Sequence, residues 1–176
     1  MTDEHEQFEK SRRKKDEGSK QSEIWKTQLQ DKLPEILNTE VGHIQWRGKQ
    51  RLPGSEGRQE VDILGEAQHY CVFIELEARR MTCVRNVIKA WMYLAEKTDS
   101  KPALFIHIFS PLLYESFRKR GREESVFVGE RAQKDTNGKL TYRHIEFDRW
   151  LPEAEYTTVL DSLVKKIAGF VGEYQS

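Results

Sequence analysis

Acidic side chains stand in two short segments of this chain that have the pattern of neighbouring β-strands. The segment EVDILGE contains Asp62, and the segment CVFIELE contains Glu75 and Glu77. Because side chains alternate along a strand, Glu75 and Glu77 share one face, and pairing of the two strands can place Asp62 beside Glu75. Carboxylates held together on a largely buried sheet repel one another and raise their own pKa values. A hard cation with oxygen ligands, such as Mg²⁺, resolves this conflict, so the pattern is compatible with a divalent-metal site.

The same two glutamates also have a plainer interpretation. An antiparallel strand can have one solvated face, and Glu75 and Glu77 would then line that face. Arg79 and Arg80 follow directly in the chain and would pair with them at the surface. On this interpretation the two glutamates take no part in metal binding or catalysis.

The elements that position these acids follow from hydrophobic periodicity. Three strand-like segments, HIQWRG, EVDILGE and HYCVFIELEARR, lie close together in the chain and predict antiparallel pairing. The next segment, VRNVIKAWMYLAEK, has helical spacing, and PALFIHIF is apolar on both faces, as in a central strand. Because a helix separates this strand from the previous one, we expect it to run parallel to a neighbour. The sequence therefore predicts an α/β fold with a mixed β-sheet flanked by helices on both sides.

The two ends of the chain complete this prediction. Residues 1–20 contain almost no apolar side chains and predict a mobile charged N-terminal arm, so that a single domain spans residues 21–176. Ser22 is a suitable N-cap for a first helix, EIWKTQLQDKLPEIL, in which Pro34 predicts a kink or break. Towards the C-terminus, LLYESFRKRGREE predicts a helix, TYRHIEFDRW predicts a strand, and Pro152 opens a last helix.

This order of elements, with acids on the second and third strands, resembles the PD-(D/E)XK nuclease superfamily and its restriction-endonuclease-like αβββαβ core. The residues that carry the resemblance are EVDIL around Asp62 and FIELEARR around Glu75, and the likeness covers roughly residues 22–109. The resemblance implies a Mg²⁺- or Mn²⁺-dependent endonuclease that hydrolyses DNA phosphodiester bonds. It implies that Asp62, Glu75 and the backbone carbonyl of Leu76 hold the metal.

Further site residues follow from the same resemblance. A glutamate of the first helix often joins such sites, and we favour Glu35 over Glu23 for this role. A basic residue of the following helix contacts the scissile phosphate in some members, and the chain offers Arg80, Arg85 and Lys89 there.

The chain departs from the family pattern at two positions. Val61 precedes Asp62 where the family has proline, and Glu77 stands where the family has the lysine that orients the attacking water. Glu77 could serve instead as a catalytic base or bridge to a second metal. The departure leaves two hypotheses open: an active nuclease, or the same fold without turnover, acting as a DNA-binding or protein-interaction module. Single-domain nucleases that cut both DNA strands usually act as dimers, so a homodimer is one expectation, although the sequence shows no interface.

Bulk properties favour a cytoplasmic protein without a membrane partner. Hydrophobic residues make up 37% of the chain and charged residues 33%, and no apolar stretch approaches the roughly 20 residues of a membrane helix. Two free thiols, Cys71 and Cys83, suit a reducing compartment. A formal net charge of zero argues against nucleic-acid binding by bulk electrostatics alone. Local basic runs could still contact phosphates, and these are Arg12–Lys15, Arg79–Arg80, Arg118–Arg122 and Lys165–Lys166.

Other reactive residues have weaker patterns. His69 and Cys71 could share a zinc ion, but the chain has no Cys-x-x-Cys pair, so we do not expect a structural zinc site. His107 could face the same side of the sheet as the carboxylates, although a packed histidine is the more common case. Cys83 has no identifiable histidine partner, so we expect an unreactive thiol.

Overall fold

The chain forms a mixed sheet with helices before, between and after its strands. A computed structural model describes residues 2–52, 59–78, 83–97, 99–114, 119–147 and 156–175. Within these residues the elements are α1 (Thr2–Glu40), β1 (Gln45–Arg51), β2 (Glu60–Glu66), β3 (Cys71–Glu77), α2 (Cys83–Glu96), β4 (Ala103–Phe109), a 3₁₀ turn (Pro111–Tyr114), α3 (Lys119–Asp135), β5 (Leu140–Glu146) and α4 (Tyr156–Gln175). The strand predicted at EVDILGE coincides with β2 and is confirmed. The helix and the strand predicted after β3 are confirmed as α2 and β4.

The strands of the described residues form one sheet in the order β1-β2-β3-β4-β5. The first three strands pair antiparallel, and the last three pair parallel. A short turn joins β2 to β3, and in it the amide of Ala67 donates to the carbonyl of Tyr70 at 3.0 Å. Parallel strands need a longer crossover, which α2 and α3 provide. The predicted mixed sheet is confirmed, and β3 is the strand at which the pairing changes direction.

Apolar side chains alternate along β3 and build a core layer on each face of the sheet. Val72, Ile74 and Leu76 pack with residues of α1 and α4. Cys71 and Phe73 pack with residues of α2 and α3 on the opposite face. All five side chains are buried, as a central strand covered on both sides requires. Helices therefore flank the sheet on both sides, as predicted.

The first helix begins earlier than its apolar pattern indicated. It starts at Thr2 rather than near Ser22, so that residues 2–20 lie within it. Ser22 does not cap a helix, and its buried hydroxyl donates to the carbonyl of Ala78 at 2.8 Å. The prediction failed because a charged segment rich in Glu, Lys and Arg favours helix through local propensity, without a face to bury. The mobility of residues 1–20 stays a prediction.

Of the kink or break predicted at Pro34, the break is wrong, because α1 continues through the proline, and the kink stays a prediction. Proline has no N–H, so the carbonyl of Gln30 lacks its usual helical donor. Gly48 of β1 lies against this carbonyl, and a Cβ at that position would be 3.0 Å from the oxygen. Leu33 and Leu37 are fully buried beside the proline. Packing of the helix on the sheet therefore outweighs the missing hydrogen bond.

The C-terminal third differs in part from its prediction. The first residues of LLYESFRKRGREE form the 3₁₀ turn instead of the predicted α-helix, residues 115–118 lie outside the described residues, and the last part of the segment lies in α3. The strand predicted at TYRHIEFDRW is confirmed as β5, while Pro152 lies outside the described residues. None of the helices described here combines the length and the apolar character that crossing a membrane would need.

Candidate functional site

Strand β2 departs from regular geometry at Asp62. Its ladder with β3 ends at the pair of Ile63 and Ile74. On the other side of β2, Lys49 lies at the level of Asp62 and has a positive φ of 36°. Val61 packs in the layer beneath α2, whereas Ile63 packs in the layer beneath α1. Val61 and Ile63 therefore lie on opposite faces of the sheet, although regular alternation would place them on one face, because the irregularity rotates the strand between them.

The irregularity turns the Asp62 carboxylate towards α1. Its Oδ2 lies 2.7 Å from Nζ of Lys26, and its Oδ1 accepts a hydrogen bond from Nε2 of Gln30 at 2.6 Å. Oδ2 also accepts from the backbone N–H of Leu76 at 2.8 Å. The carboxylate thus ties the end of β2 both to α1 and to β3. Lys26 and Gln30 reach it together because residues four apart lie on the same face of a helix.

The glutamates predicted from α1 lie elsewhere on this helix. Glu35 is exposed to solvent, and Glu23 is half-buried one turn before Lys26. The structure therefore brings Lys26 and Gln30, rather than Glu35, to Asp62. The sequence did not predict Lys26 as a site residue, because the resemblance calls for a glutamate from the first helix. The available signal was a pair of long polar side chains, four residues apart, within the apolar stripe of the helix.

Glu75 is buried and pairs with a lysine of α2. Its side chain is 3% exposed, and its Oε1 lies 2.7 Å from Nζ of Lys89. Lys89 also donates to the backbone carbonyl of Glu60 and, at 3.3 Å, to Oδ1 of Asn86. Burial raises the pKa of Glu75 well above its usual value, the charge of Asp62 raises it further, and Lys89 opposes this rise. A cation near Glu75 is therefore favoured by the site itself.

The ammonium of Lys26 lies within the electrostatic reach of all three acids. Burial lowers its pKa, but the charge and hydrogen bond of Asp62 raise it, and the charges of Glu75 and Glu77 add to this rise, so that the net shift is upward. Asp62, Glu75 and Glu77 therefore form one electrostatic unit, although their carboxylates contact different partners. We call these three residues the acid cluster.

Glu77 is the most deeply enclosed member of the acid cluster. It is 1% exposed, and its Oε1 lies 2.6 Å from Nε2 of His107. The same oxygen accepts a hydrogen bond from Nδ2 of Asn86 at 2.7 Å. On its other side, Nδ1 of His107 lies 3.1 Å from the hydroxyl of Tyr142. His107 therefore faces the same side of the sheet as Glu77 and is a packed histidine of the core.

The burial of Glu75 and Glu77 overturns the plainer interpretation of these residues. They are 2% and 1% exposed, so they do not line a solvated face of the sheet. Helix α2 covers this face and supplies Lys89 and Asn86 as polar partners. The acids are therefore buried carboxyl groups with specific partners, and burying one in its ionised form is costly unless the charge is compensated.

Asp62, Glu75 and the carbonyl of Leu76 offer the oxygen atoms that Mg²⁺ prefers, but the two carboxylates contact different helices, Asp62 through Lys26 of α1 and Glu75 through Lys89 of α2. This ion takes one or two protein carboxylates and keeps waters and phosphate as its other ligands. The raised pKa of Glu75, caused by burial and by Asp62, is the feature of the site that an added cation would relieve. Among the described residues, no group of three or more His, Cys, Asp and Glu side chains is placed to hold a metal ion. The ligand set of Asp62, Glu75 and Leu76 therefore stays a prediction of the resemblance.

The remaining predicted site residues have different environments. Arg80 and Arg79 lie outside the described residues, and Arg85 is exposed on α2. His69 is exposed beside the buried Cys71.

Cys83 is fully buried at the start of α2. Burial raises the pKa of its thiol, and the charge of Glu77 raises it further. The expectation of an unreactive thiol agrees with this environment.

Comparison of the chain with protein-family models, with curated proteins and with solved structures gave no significant match.

Proposed function

We propose that this protein is a Mg²⁺-dependent nuclease that hydrolyses DNA phosphodiester bonds at the acid cluster. The observation that carries the proposal is the contact of 2.7 Å between Nζ of Lys89 and Oε1 of Glu75. The nuclease pattern needs a cation beside its second acid, and Glu77 occupies the place of that cation in the sequence. Lys89 supplies the missing charge from α2.

The arrangement of the elements supports the same proposal. A helix, three antiparallel strands, a crossover helix and a parallel strand follow one another from α1 to β4. This is the order of the restriction-endonuclease-like αβββαβ core, to which we assign the domain. The β2–β3 ladder ends at the pair of Ile63 and Ile74, next to the acids that carry the resemblance.

Each residue of the site has a distinct part in the proposed reaction. Asp62, Glu75 and the carbonyl of Leu76 would hold the ion, which polarises the phosphate and stabilises its developing charge when bound. Lys89 keeps an ammonium group beside Glu75, where it can orient a water and stabilise negative charge on the phosphate. Lys26 neutralises Asp62 and holds its carboxylate against β3.

A second candidate function is a DNA-binding or protein-interaction module with the same fold and no turnover. The observation that favours it is that each member of the acid cluster already has a basic partner within the protein. Lys26 lies beside Asp62, Lys89 beside Glu75 and His107 beside Glu77. A site compensated in this way can be stable without an added cation.

Cleavage of labelled single- and double-stranded DNA with Mg²⁺ or Mn²⁺ distinguishes the two functions. We expect the wild type to cleave and Asp62→Asn to lose cleavage, because the substitution removes a charge from the ligand set while keeping the shape of the side chain. Asp161→Asn, at an exposed position of α4, is the matched control and should cleave like the wild type. Absence of cleavage by the wild type would favour the module without turnover, and equal cleavage by Asp62→Asn would show that the cleavage does not occur at the acid cluster.

A further inference from the structure

A row of hydrogen bonds connects the core of the sheet to Lys89. It begins at the hydroxyl of Tyr142 on β5, continues through His107 on β4 and Glu77 on β3, and ends at Asn86 on α2. Asn86 in turn accepts a hydrogen bond from Lys89. We infer that Asn86 is a positioning residue, which Glu77 orients so that it fixes the ammonium of Lys89 against Glu75. The catalytic consequence rests on the proposed function, whereas the placement of Lys89 does not.

The two ends of the Asn86 amide have different partners. Its Nδ2 donates to Oε1 of Glu77 at 2.7 Å, and its Oδ1 accepts from Nζ of Lys89 at 3.3 Å. Asn86 and Lys89 can meet because residues three apart lie on the same face of a helix. A carboxyl oxygen accepts hydrogen bonds from N–H groups, so Oε1 of Glu77 selects the NH₂ end of the amide. The oxygen then points to Lys89, whereas the reversed amide would direct its NH₂ group at an ammonium.

The row is held in place by burial. Glu77 is 1% exposed and His107 is 0% exposed, so neither side chain has solvent into which it can turn. Tyr142 is fixed in addition through its backbone, whose N–H donates to Oε1 of Gln133 on α3 at 2.7 Å. Three strands and two helices thus define the position of the Asn86 amide. A lysine side chain has a long, rotatable stem, so its ammonium group has a defined position only when hydrogen-bonding partners restrict it.

This row gives Glu77 a part in the site that differs from metal binding. The glutamate that stands in place of the family lysine would act through Asn86 on the lysine of α2. If the buried pair of Glu77 and His107 only stabilises the fold, substitution of Asn86 should lower the stability of the protein without changing the reactivity of Lys89. Substitution of Asn86 separates the two, because this residue is half-buried and neutral.

The test is the acylation rate of individual lysines in the folded, metal-free protein, followed by mass spectrometry of peptides. Exposed Lys134 serves as the internal reference. In Asn86→Ala we expect Lys89 to label about two- to tenfold faster than in the wild type, which corresponds to the loss of one hydrogen bond. Asn38→Ala is the matched control, because Asn38 bonds the backbone of Trp46 away from Lys89. This control should leave the Lys89 rate unchanged, and Asn86→Ser repeats the test if Asn86→Ala does not fold.

DNA cleavage by the same proteins is the second measurement. We expect kcat to fall in Asn86→Ala with little change in KM, since the substrate surface is intact. An unchanged Lys89 labelling rate in the Asn86 variants would overturn the inference even if the wild type cleaves DNA. Faster labelling together with a wild type that does not cleave would support the placement of Lys89 and reject the nuclease proposal.

Discussion

The two ends of the β2–β3 hairpin carry similar charges in different environments. At the open end, Asp62 and Glu75 have side chains that are 11% and 3% exposed, and each lies 2.7 Å from a lysine. At the turn end, Glu66 is 33% exposed and lies 3.2 Å from Arg47, which is 46% exposed. Glu66 also lines an open recess of about 490 Å³.

Burial, more than the number of charges, distinguishes the candidate functional site at the open end from the solvated ion pair at the turn end. Water screens the pair of Glu66 and Arg47 and weakens its effect on the protein. At the open end, burial raises the pKa of Glu75 well above its usual value, so its ionised form depends on a nearby cation. The following predictions test this difference.

The largest difference in the free energy of unfolding is expected when the basic side chain of each pair is replaced. Lys89→Met leaves Glu75 buried without its ammonium partner and should lower the free energy of unfolding by about 3 kcal/mol. Arg47→Met is the matched change at the turn end and should cost less than about 1 kcal/mol, because that pair is exposed. Urea unfolding at about pH 8, where Glu75 is more fully ionised, provides both values. Equal losses in the two variants would remove the distinction between the ends.

The pH dependence of stability should also differ between the ends. Native Glu75 binds its proton more tightly than in the unfolded chain, because burial raises its pKa above the ordinary 4.5. Its contribution to stability is therefore complete below that ordinary value and is lost as the pH rises through the native pKa. The loss has a limiting slope of about 1.4 kcal/mol per pH unit.

Unfolding without added metal, measured from about pH 5 to about pH 8, should show this slope in the wild type and a smaller one in Glu75→Gln. Glu66→Gln at the turn end is the control for the loss of one carboxyl group from the hairpin. Parallel curves for Glu75→Gln and the wild type would contradict the assigned pKa direction.

The smallest expected effect concerns the hydroxyl at the far end of the buried row. Tyr142→Phe removes the hydrogen bond of 3.1 Å to His107 while keeping the ring. We expect a loss of about 1 kcal/mol in urea unfolding, as for one buried hydrogen bond. Tyr70→Phe is the comparison at the turn end, where the hydroxyl is bonded to Gln175 at an exposed position and should matter less. A larger loss in Tyr70→Phe would show that the row does not stabilise the core.

Local patterns in the sequence were sufficient to predict much of the fold. The continuous apolar runs of β3 and β4 reflect the covering of both faces of the sheet, so those strands and their directions followed. The length of α1 did not follow, because residues 2–20 form helix without apolar spacing. The helix through Pro34 depended on tertiary packing that the residue pattern does not contain.

The candidate site was predictable in its acids and less so in their partners. Asp62, Glu75 and Glu77 follow from strand alternation and from the resemblance, and the structure brings them within electrostatic reach of Lys26. The choice of Lys26 over Glu35 depends on the rotation of α1 about its axis relative to the sheet. The turn of Asp62 towards α1 depends on an irregular backbone near Lys49, which alternation alone does not indicate.

The role of Lys89 in the proposed cleavage is tested most directly by DNA cleavage by Lys89→Met with saturating Mg²⁺, at a temperature at which the variant remains folded. If Lys89 replaces the missing lysine of the nuclease pattern, the wild type cleaves and the variant is slower by about a hundredfold or more. The metal-dependent rise in melting temperature should persist in the variant, because Asp62 and Glu75 are intact. Cleavage at the wild-type rate by Lys89→Met would contradict the role assigned to Lys89, and absence of cleavage by the wild type would contradict the proposed activity.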